Sequence, residues 1–143
     1  MNQNLTKSRD TSPSWMRSIL VLAAIYNLAW GTVVVLLPER SLQWCGFPEP
    51  VRYPEIWQCL GMVIGVYGIG YGIAALDPVR HWSIVFVGLL GKVFGPIGIA
   101  KAVLEGRLPP SAVRTCLTND VIWWVPFVLI LWHARNSLRR QQQ

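Results

Sequence analysis

Charged side chains are scarce in this sequence. Only 14% of its 143 residues are Asp, Glu, Lys or Arg, whereas 52% are apolar. Ordinary soluble domains have about a quarter of their residues charged. A soluble helical bundle would show polar side chains at nearly every turn, and long stretches of this sequence have none. The composition therefore excludes an ordinary soluble domain and indicates a membrane protein.

Recognisable metal and redox motifs are also missing. The sequence contains 3 cysteines and 2 histidines, with no CxxC or CxxH spacing among them. Nothing supplies further ligands for His81 and His133, so we expect neither a metal site nor a cofactor. Cys45 and Cys116 fall in two connections on the same predicted side of the membrane. Two alternatives remain open for them, a disulfide or unpaired thiols.

Nucleic-acid binding finds no support either. The net charge is +6, but no DNA- or RNA-binding pattern accompanies it. The basic residues lie between or beyond the apolar stretches, where they orient a protein in the membrane. We therefore expect the lipid bilayer as the main partner, together with a membrane protein or further copies of this chain.

Four apolar stretches each approach the roughly 20 residues that a helix needs to cross a bilayer. They predict spans at about 15–37, 56–76, 82–104 and 111–134. Asp77 and Pro78 leave room for only a short connection, so the second and third spans should be adjacent and antiparallel. The sequence thus predicts an all-α fold, a four-helix transmembrane bundle with antiparallel up-down topology.

Polar segments flank this membrane domain, which we place at 15–138. Residues 1–14 are predicted to form a disordered cytoplasmic tail and residues 139–143 a polar, basic tail. Lys and Arg residues are more frequent on the side of the termini. That side has Lys7, Arg9, Arg17, Arg80, Arg135, Arg139 and Arg140, and the opposite side has Arg40, Arg52, Lys101, Arg107 and Arg114. The bias predicts a multi-pass protein of the inner (plasma) membrane with both termini in the cytoplasm.

Glycines recur at intervals of three and four residues in the second and third spans. The two sets are Gly61, Gly65, Gly68 and Gly72, and Gly88, Gly91, Gly95 and Gly98. This spacing places each set along one helical face, where small residues let helix backbones approach closely in lipid. Both sets are therefore predicted to mediate helix packing.

Lys92 is the most informative single residue, because it lies near the middle of the third span. It is about twelve residues, or about 18 Å, from the end of that span. By the same measure Asp120 lies about 14 Å and Asn27 about 15 Å from the corresponding ends of their spans. The three side chains are thus predicted to meet at one level. Glu55 and Gln58, one turn apart, are predicted to form the mouth of this polar site.

Two interpretations of Lys92, Asp120 and Asn27 remain open. In the first, they form a polar pocket or ion path, because ionisable residues inside a membrane are functional candidates. In the second, they form a buried ion pair that only fixes helix register. No constellation of residues indicates catalysis, so a non-enzymatic role is favoured. The predicted function is an accessory subunit or a bundle that binds a small ligand or lipid.

The segments Tyr26-Asn27-Leu28-Ala29-Trp30-Gly31, Trp57-Gln58 and Ala74-Ala75-Leu76-Asp77-Pro78 resemble the broad DoxX-like group of small bacterial membrane proteins. The resemblance extends over all four spans and is architectural. It implies a four-helix fold, and, because some members associate with redox or quinone-linked systems, it implies a membrane redox component as the alternative function. A small transporter is a further alternative.

Overall fold

The computed structural model describes residues 12–47, 50 and 52–140, and every regular element in that part of the chain is helical. Of the two predicted tails, residues 1–11 and 141–143 lie outside the described residues. The helices are α1 (Ser14–Leu36), α2 (Pro38–Trp44), α3 (Pro54–Leu76), α4 (Trp82–Leu104), α5 (Val113–Cys116) and α6 (Ile122–Arg140). A 3-10 turn at Pro110–Ala112 precedes α5, and a π-helical turn at Leu117–Val121 joins α5 to α6.

Four segments are long and apolar enough to cross a membrane. They are α1, α3, α4 and the continuous stretch Pro110–Arg140, which we call the fourth span. The prediction of an all-α bundle with four spans is thereby confirmed, and the chain is a multi-pass membrane protein. The fourth span continues to Arg140, beyond the predicted end at 134.

Prolines and a glycine set several helix ends. Pro38 and Pro54 begin α2 and α3, at positions where a missing N–H leaves no hydrogen bond unmade. At the end of α4, Gly106 takes a φ of 70°, and its N–H donates to the Val103 carbonyl, an ending that favours glycine. The connections from α3 to α4 and from α4 to Pro110 are short, so these consecutive spans run antiparallel.

The bundle consists of two helix pairs. α1 packs along α3, and α4 packs along the fourth span, whereas contacts between the pairs are sparse. In the first pair, a Cβ added at Gly31 would lie 2.6 Å from the carbonyl oxygen of Gly61 and 2.8 Å from the nitrogen of Gly65. The two backbones touch at this point, because only glycine permits so close an approach in lipid.

Other glycines of α3 pack against α1 on either side of this contact. A Cβ at Gly61 would meet the Val34 side chain at 2.7 Å, and one at Gly68 would meet the Leu28 side chain at 2.9 Å. Gly72 has only ordinary contact distances around it, the nearest atom being 3.9 Å away. Tight packing on α1 is therefore found at Gly61 and Gly68, whereas a Cβ at Gly65 would meet nothing within 4 Å even though the Gly65 backbone lies against Gly31.

The glycines of α4 behave differently. Gly88 lies directly against the Tyr71 ring of α3, which leaves no room for a Cβ. At Gly91 and Gly95, by contrast, an added Cβ would have its nearest neighbour 4.0 Å away, and at Gly98 it would meet nothing within 4 Å. Only Gly88 in this set lies in close helix packing, and the next two glycines border open space.

The apolar core lies in one half of the bundle, where the first span begins and the fourth span ends. We call this the terminal half, and the half that contains α2 and α5 the connection half. The core consists of Met16, Leu20, Ala23, Ala24, Tyr71, Ala74, Ala75, Val85, Trp123, Phe127 and Ile130. The Tyr71 and Phe127 rings meet edge to face with centroids 5.1 Å apart, and neither side chain is more than 1% exposed.

Candidate functional site

A cavity of about 310 Å³ lies between the two helix pairs in the connection half. This volume falls at the lower end of the range of small-molecule sites, about 300 to 1,000 Å³. Most of its lining residues are apolar. Its strongly polar side chains are Asn27, Lys92, Thr115, Asn119 and Asp120, and two tyrosines, Tyr67 and Tyr71, also line it. The cavity therefore combines apolar walls with one polar region.

Lys92 supplies the positive charge of this region, and its side chain is only 7% exposed. Its Nζ donates to the backbone carbonyl of Asn119 at 2.6 Å and lies 3.7 Å from Oδ1 of Asp120. Nζ also lies 6.0 Å from the centre of the Trp123 ring. A buried ammonium needs such partners, because hydration lost on burial must be replaced by charge and hydrogen bonds.

Backbone irregularities in two helices make these contacts possible. Pro96 lacks an N–H, so the Lys92 carbonyl, four residues earlier, loses its usual helical partner. The indole Nε1 of Trp124 donates to that carbonyl at 2.9 Å instead. The π-helical turn of the fourth span carries Asn119, whose carbonyl accepts the ammonium. Lys92 is thus bound to the fourth span through both its side chain and its backbone.

The acidic part of the site retains hydrogen-bonding capacity. Nδ2 of Asn119 donates to Oδ1 of Asp120 at 2.9 Å, which fixes the orientation of the amide. Oδ1 of Asn119 is buried and has no hydrogen-bond partner among the described residues. Oδ2 of Asp120 faces the open space beside Gly95, 4.0 Å from where a Cβ on that glycine would lie. A carboxylate oxygen is therefore directed at the cavity.

Asn27 lies on α1 in the wall of the same cavity, and only 3% of it is exposed. Its Nδ2 donates to the Ala23 carbonyl of its own helix at 2.8 Å. This bond satisfies a buried polar group within one helix. The three residues predicted to share one level, Asn27, Lys92 and Asp120, all line the cavity.

The two residues predicted as the mouth of the site have other positions. Gln58 donates through Nε2 to the Val35 carbonyl at 2.8 Å and so ties α3 to α1. Glu55 is exposed at the start of α3. Neither belongs to the cavity lining, and the neighbouring residue Trp57 does. The difference is one of helical phase, since adjacent residues point about 100° apart.

The segment around α2 covers the connection end of the cavity, where Cys45 and Phe47 line it. Two hydrogen bonds hold this cover in place. Trp57 Nε1 donates to Ser41 Oγ at 2.8 Å, and Ser111 Oγ donates to the Gly46 carbonyl at 2.9 Å. The cover is therefore joined to both α3 and the fourth span.

The cavity reaches the surface of the bundle between α3 and α4. Leu60 and Val63 on one side of this gap line the cavity and are 48% and 50% exposed. Gly91 and Gly95 on the other side also line it and are exposed. In a membrane this gap faces lipid, so a molecule in the bilayer has lateral access.

Cys45, Cys59 and Cys116 are free thiols, and no bond joins Cys45 to Cys116. Cys45 and Cys116 are both buried and both line the cavity. Burial raises the pKa of the Cys45 thiol above its usual value, against a smaller opposing effect of the Thr115 side chain. Both thiols are therefore buried parts of the cavity wall.

No group of three or more His, Cys, Asp or Glu side chains is placed to hold a metal ion within 12–47, 50 and 52–140. The sequence interpretation missed Asn119, Trp123 and Trp124, which contact Lys92. Pro96 was a usable signal for Trp124, because a proline in a span leaves a carbonyl that needs a donor. The Asn119 contact involves the π-helical turn, and no sequence pattern indicated that turn or the position of the Trp123 ring.

Comparisons with protein-family models, with curated proteins and with solved structures find no match for this chain.

Proposed function

We propose that this multi-pass membrane protein binds a small amphiphilic molecule from the bilayer, with the polar group of the ligand at Lys92 and Asp120. The observation that supports this most is the cavity of about 310 Å³ that has apolar walls and a buried ion pair in its lining. Sites for small molecules combine a mostly apolar surface with a few placed polar groups in this way.

The gap between α3 and α4 supports a ligand that comes from lipid. Leu60, Val63 and the two glycines opposite them present no polar side chain along this route. A strongly hydrated solute would lose its water there without replacement. An amphiphile keeps its apolar part against lipid and the cavity walls throughout.

The polar region favours an uncharged headgroup that both donates and accepts hydrogen bonds, such as a hydroxyl. Lys92 and Asp120 neutralise each other, so a charged headgroup would leave one buried charge uncompensated. Oδ2 of Asp120 offers an acceptor towards the cavity, and a hydroxyl would donate to it. The ammonium can in turn donate to the hydroxyl oxygen.

The alternative, an ion pair that only fixes helix register, does not explain the open space beside Lys92 and Asp120. Such a pair needs partners but no empty volume beside it, and packed side chains would protect it better. Here Gly91 and Gly95 keep space open next to the pair, whereas Gly88, one turn away, is fully packed. Along α4 the close packing at Gly88 therefore gives way to open space at the level of the ion pair.

The experiment is purification in mild detergent, followed by native mass spectrometry and identification of extracted small molecules. Gly91→Leu places a side chain in the cavity, and Gly98→Leu, on the same helix with nothing within 4 Å of its Cβ, is the matched control. We expect a copurifying amphiphile in the wild type and in Gly98→Leu, and its loss in Gly91→Leu. Equal amounts in all three proteins would refute binding in this cavity.

The membrane and the orientation of the chain are part of the proposal. We propose an inner-membrane protein with both termini in the cytoplasm, related to the DoxX-like group. The excess of Lys and Arg on the side of the termini supports this orientation. Reporters fused before Met1 and after Gln143 should both report the cytoplasm. A periplasmic signal from either fusion would contradict it.

A protein partner or a second copy of the chain would appear as additional mass in the native spectrum.

A further inference from the structure

A second cavity lies at the opposite end of the bundle, in the terminal half, between the start of α4 and the end of α6. Its volume is about 350 Å³, and it is lined by Trp82, Phe86, Leu131, Arg135, Leu138 and Arg139. None of these residues lines the first cavity. The ligand proposed for the connection half therefore makes no use of this groove.

Two guanidinium groups form the polar end of the groove. Arg135 and Arg139 are four residues apart, so they lie on the same face of α6, and both are exposed. Neither forms an ion pair with a carboxylate among the described residues. Among the residues that the structure describes, Asp77 is the acidic residue of the terminal half. Its Oδ1 accepts a hydrogen bond from the backbone N–H of Arg80 instead. The two positive charges thus remain available to an external anion.

Apolar side chains form the rest of the groove. The Trp82 and Phe86 rings lie with centroids 6.3 Å apart on α4, and Leu131 faces them from α6. Leu131 precedes Arg139 by eight residues, or about 12 Å along the helix axis. The groove is therefore charged near the end of the span and apolar towards the membrane interior. Tryptophan at this level is typical of the membrane interface.

We propose that this groove binds one anionic phospholipid, with the phosphate at Arg135 and Arg139 and an acyl chain along Trp82, Phe86 and Leu131. Guanidinium groups bind phosphate oxygens in pairs, with both charge and geometry matched. The apolar length of the groove distinguishes a lipid from a free phosphate ion, which would use only the arginine end.

The experiment measures retained lipid by native mass spectrometry after addition of phosphatidylglycerol or phosphatidylcholine to delipidated protein. The test variant is Arg135→Gln with Arg139→Gln. The control is Arg40→Gln with Arg114→Gln, which removes the same charge from two exposed arginines outside the groove. We expect the test variant to bind phosphatidylglycerol roughly 30-fold more weakly than the wild type, and the control to bind as the wild type does.

Two further arms separate the possible ligands. Phe86→Ala should weaken phosphatidylglycerol binding without removing charge, and inorganic phosphate alone should give no thermal stabilisation. Equal loss in the test and control variants, or equal retention of phosphatidylcholine and phosphatidylglycerol by the wild type, would overturn the proposal. Stabilisation by inorganic phosphate with no effect of Phe86→Ala would also overturn it, because the groove would then bind only an anion.

Discussion

The two halves of this bundle differ in how their interiors are packed. In the terminal half, the side chains of Tyr71 and Phe127 pack edge to face, and both are essentially fully buried. In the connection half, a cavity of about 310 Å³ separates the same helices, and the ion pair of Lys92 and Asp120 lines it. The core of the terminal half consists of close apolar contacts, whereas the centre of the connection half consists of polar groups beside open space.

This difference suggests how a small membrane protein can maintain a cavity. Lipid provides no hydrophobic drive for helices to associate, so packing and interhelical hydrogen bonds must hold the bundle together. The terminal half supplies the packing, with the backbone contact at Gly31 extending it along α1 and α3. The connection half is held by a few specific bonds, including those of Lys92, and is free to enclose a ligand.

The largest expected effect comes from breaking the ion pair. Lys92→Met or Asp120→Leu alone would leave one buried charge uncompensated, so each should lower the free energy of unfolding by roughly 3 to 5 kcal/mol. The combined variant removes both charges and should recover much of that loss. Thermal unfolding in detergent of the two single variants and the double variant measures this coupling. Additive losses would show that the two residues do not interact.

A similar loss is expected from the packed half. Phe127→Ala leaves a void in the core, because the side chain is 0% exposed, and it should lower the free energy of unfolding by roughly 3 kcal/mol. Phe94→Ala is the same substitution at a site on α4 that is 63% exposed, and it should have little effect. Equal melting temperatures for the two variants would remove the distinction between a packed and an open half.

A smaller effect is expected at the closest helix contact. Gly31→Ala would place a Cβ 2.6 Å from a backbone oxygen of α3, so α1 and α3 must move apart, at a cost of roughly 1 to 3 kcal/mol. Gly98→Ala meets nothing within 4 Å and should be neutral or slightly stabilising, since alanine favours helix over glycine. Chemical denaturation in mixed micelles measures the free energy of unfolding of both variants. A stable Gly31→Ala protein would mean that the backbones are farther apart.

The smallest effect concerns the cover of the cavity. Trp57→Phe removes the hydrogen bond from the indole to Ser41 Oγ while keeping an aromatic ring, and it should lower stability by about 1 kcal/mol. Trp44→Phe is the control, since that indole is 63% exposed at the end of α2. If the two substitutions have the same effect on the melting temperature, the bond to Ser41 does not hold the cover.

Much of this architecture could be predicted from composition and spacing. The scarcity of charge within apolar stretches predicted four spans, and the depth of Lys92 and Asp120 along straight helices predicted that they lie at one level. The packing of the glycines was less accessible, because identical spacing in α4 gives close packing at Gly88 and open space at Gly91. Periodicity indicates which residues share a face but not the distance to the neighbouring helix.

Contacts that depend on helix irregularities could not be predicted in this way. The π-helical turn at Leu117–Val121 carries Asn119, whose carbonyl accepts the Lys92 ammonium, and such a turn has no signature in the spacing of apolar residues. The prediction that Glu55 and Gln58 form the mouth of the site follows from their depth and takes no account of helical phase. Trp57, one position away from Gln58, lines the cavity instead.

The account rests most directly on the claim that Lys92 and Asp120 bind the polar group of a ligand. The decisive measurement is the amount of copurifying amphiphile per folded chain in the wild type and in the double variant Lys92→Met with Asp120→Leu. The account predicts a stable double variant that retains at least tenfold less ligand than the wild type, since a lost buried polar contact of about 1.4 kcal/mol already gives that factor. Equal ligand on both proteins would contradict it and leave the ion pair with a structural role alone.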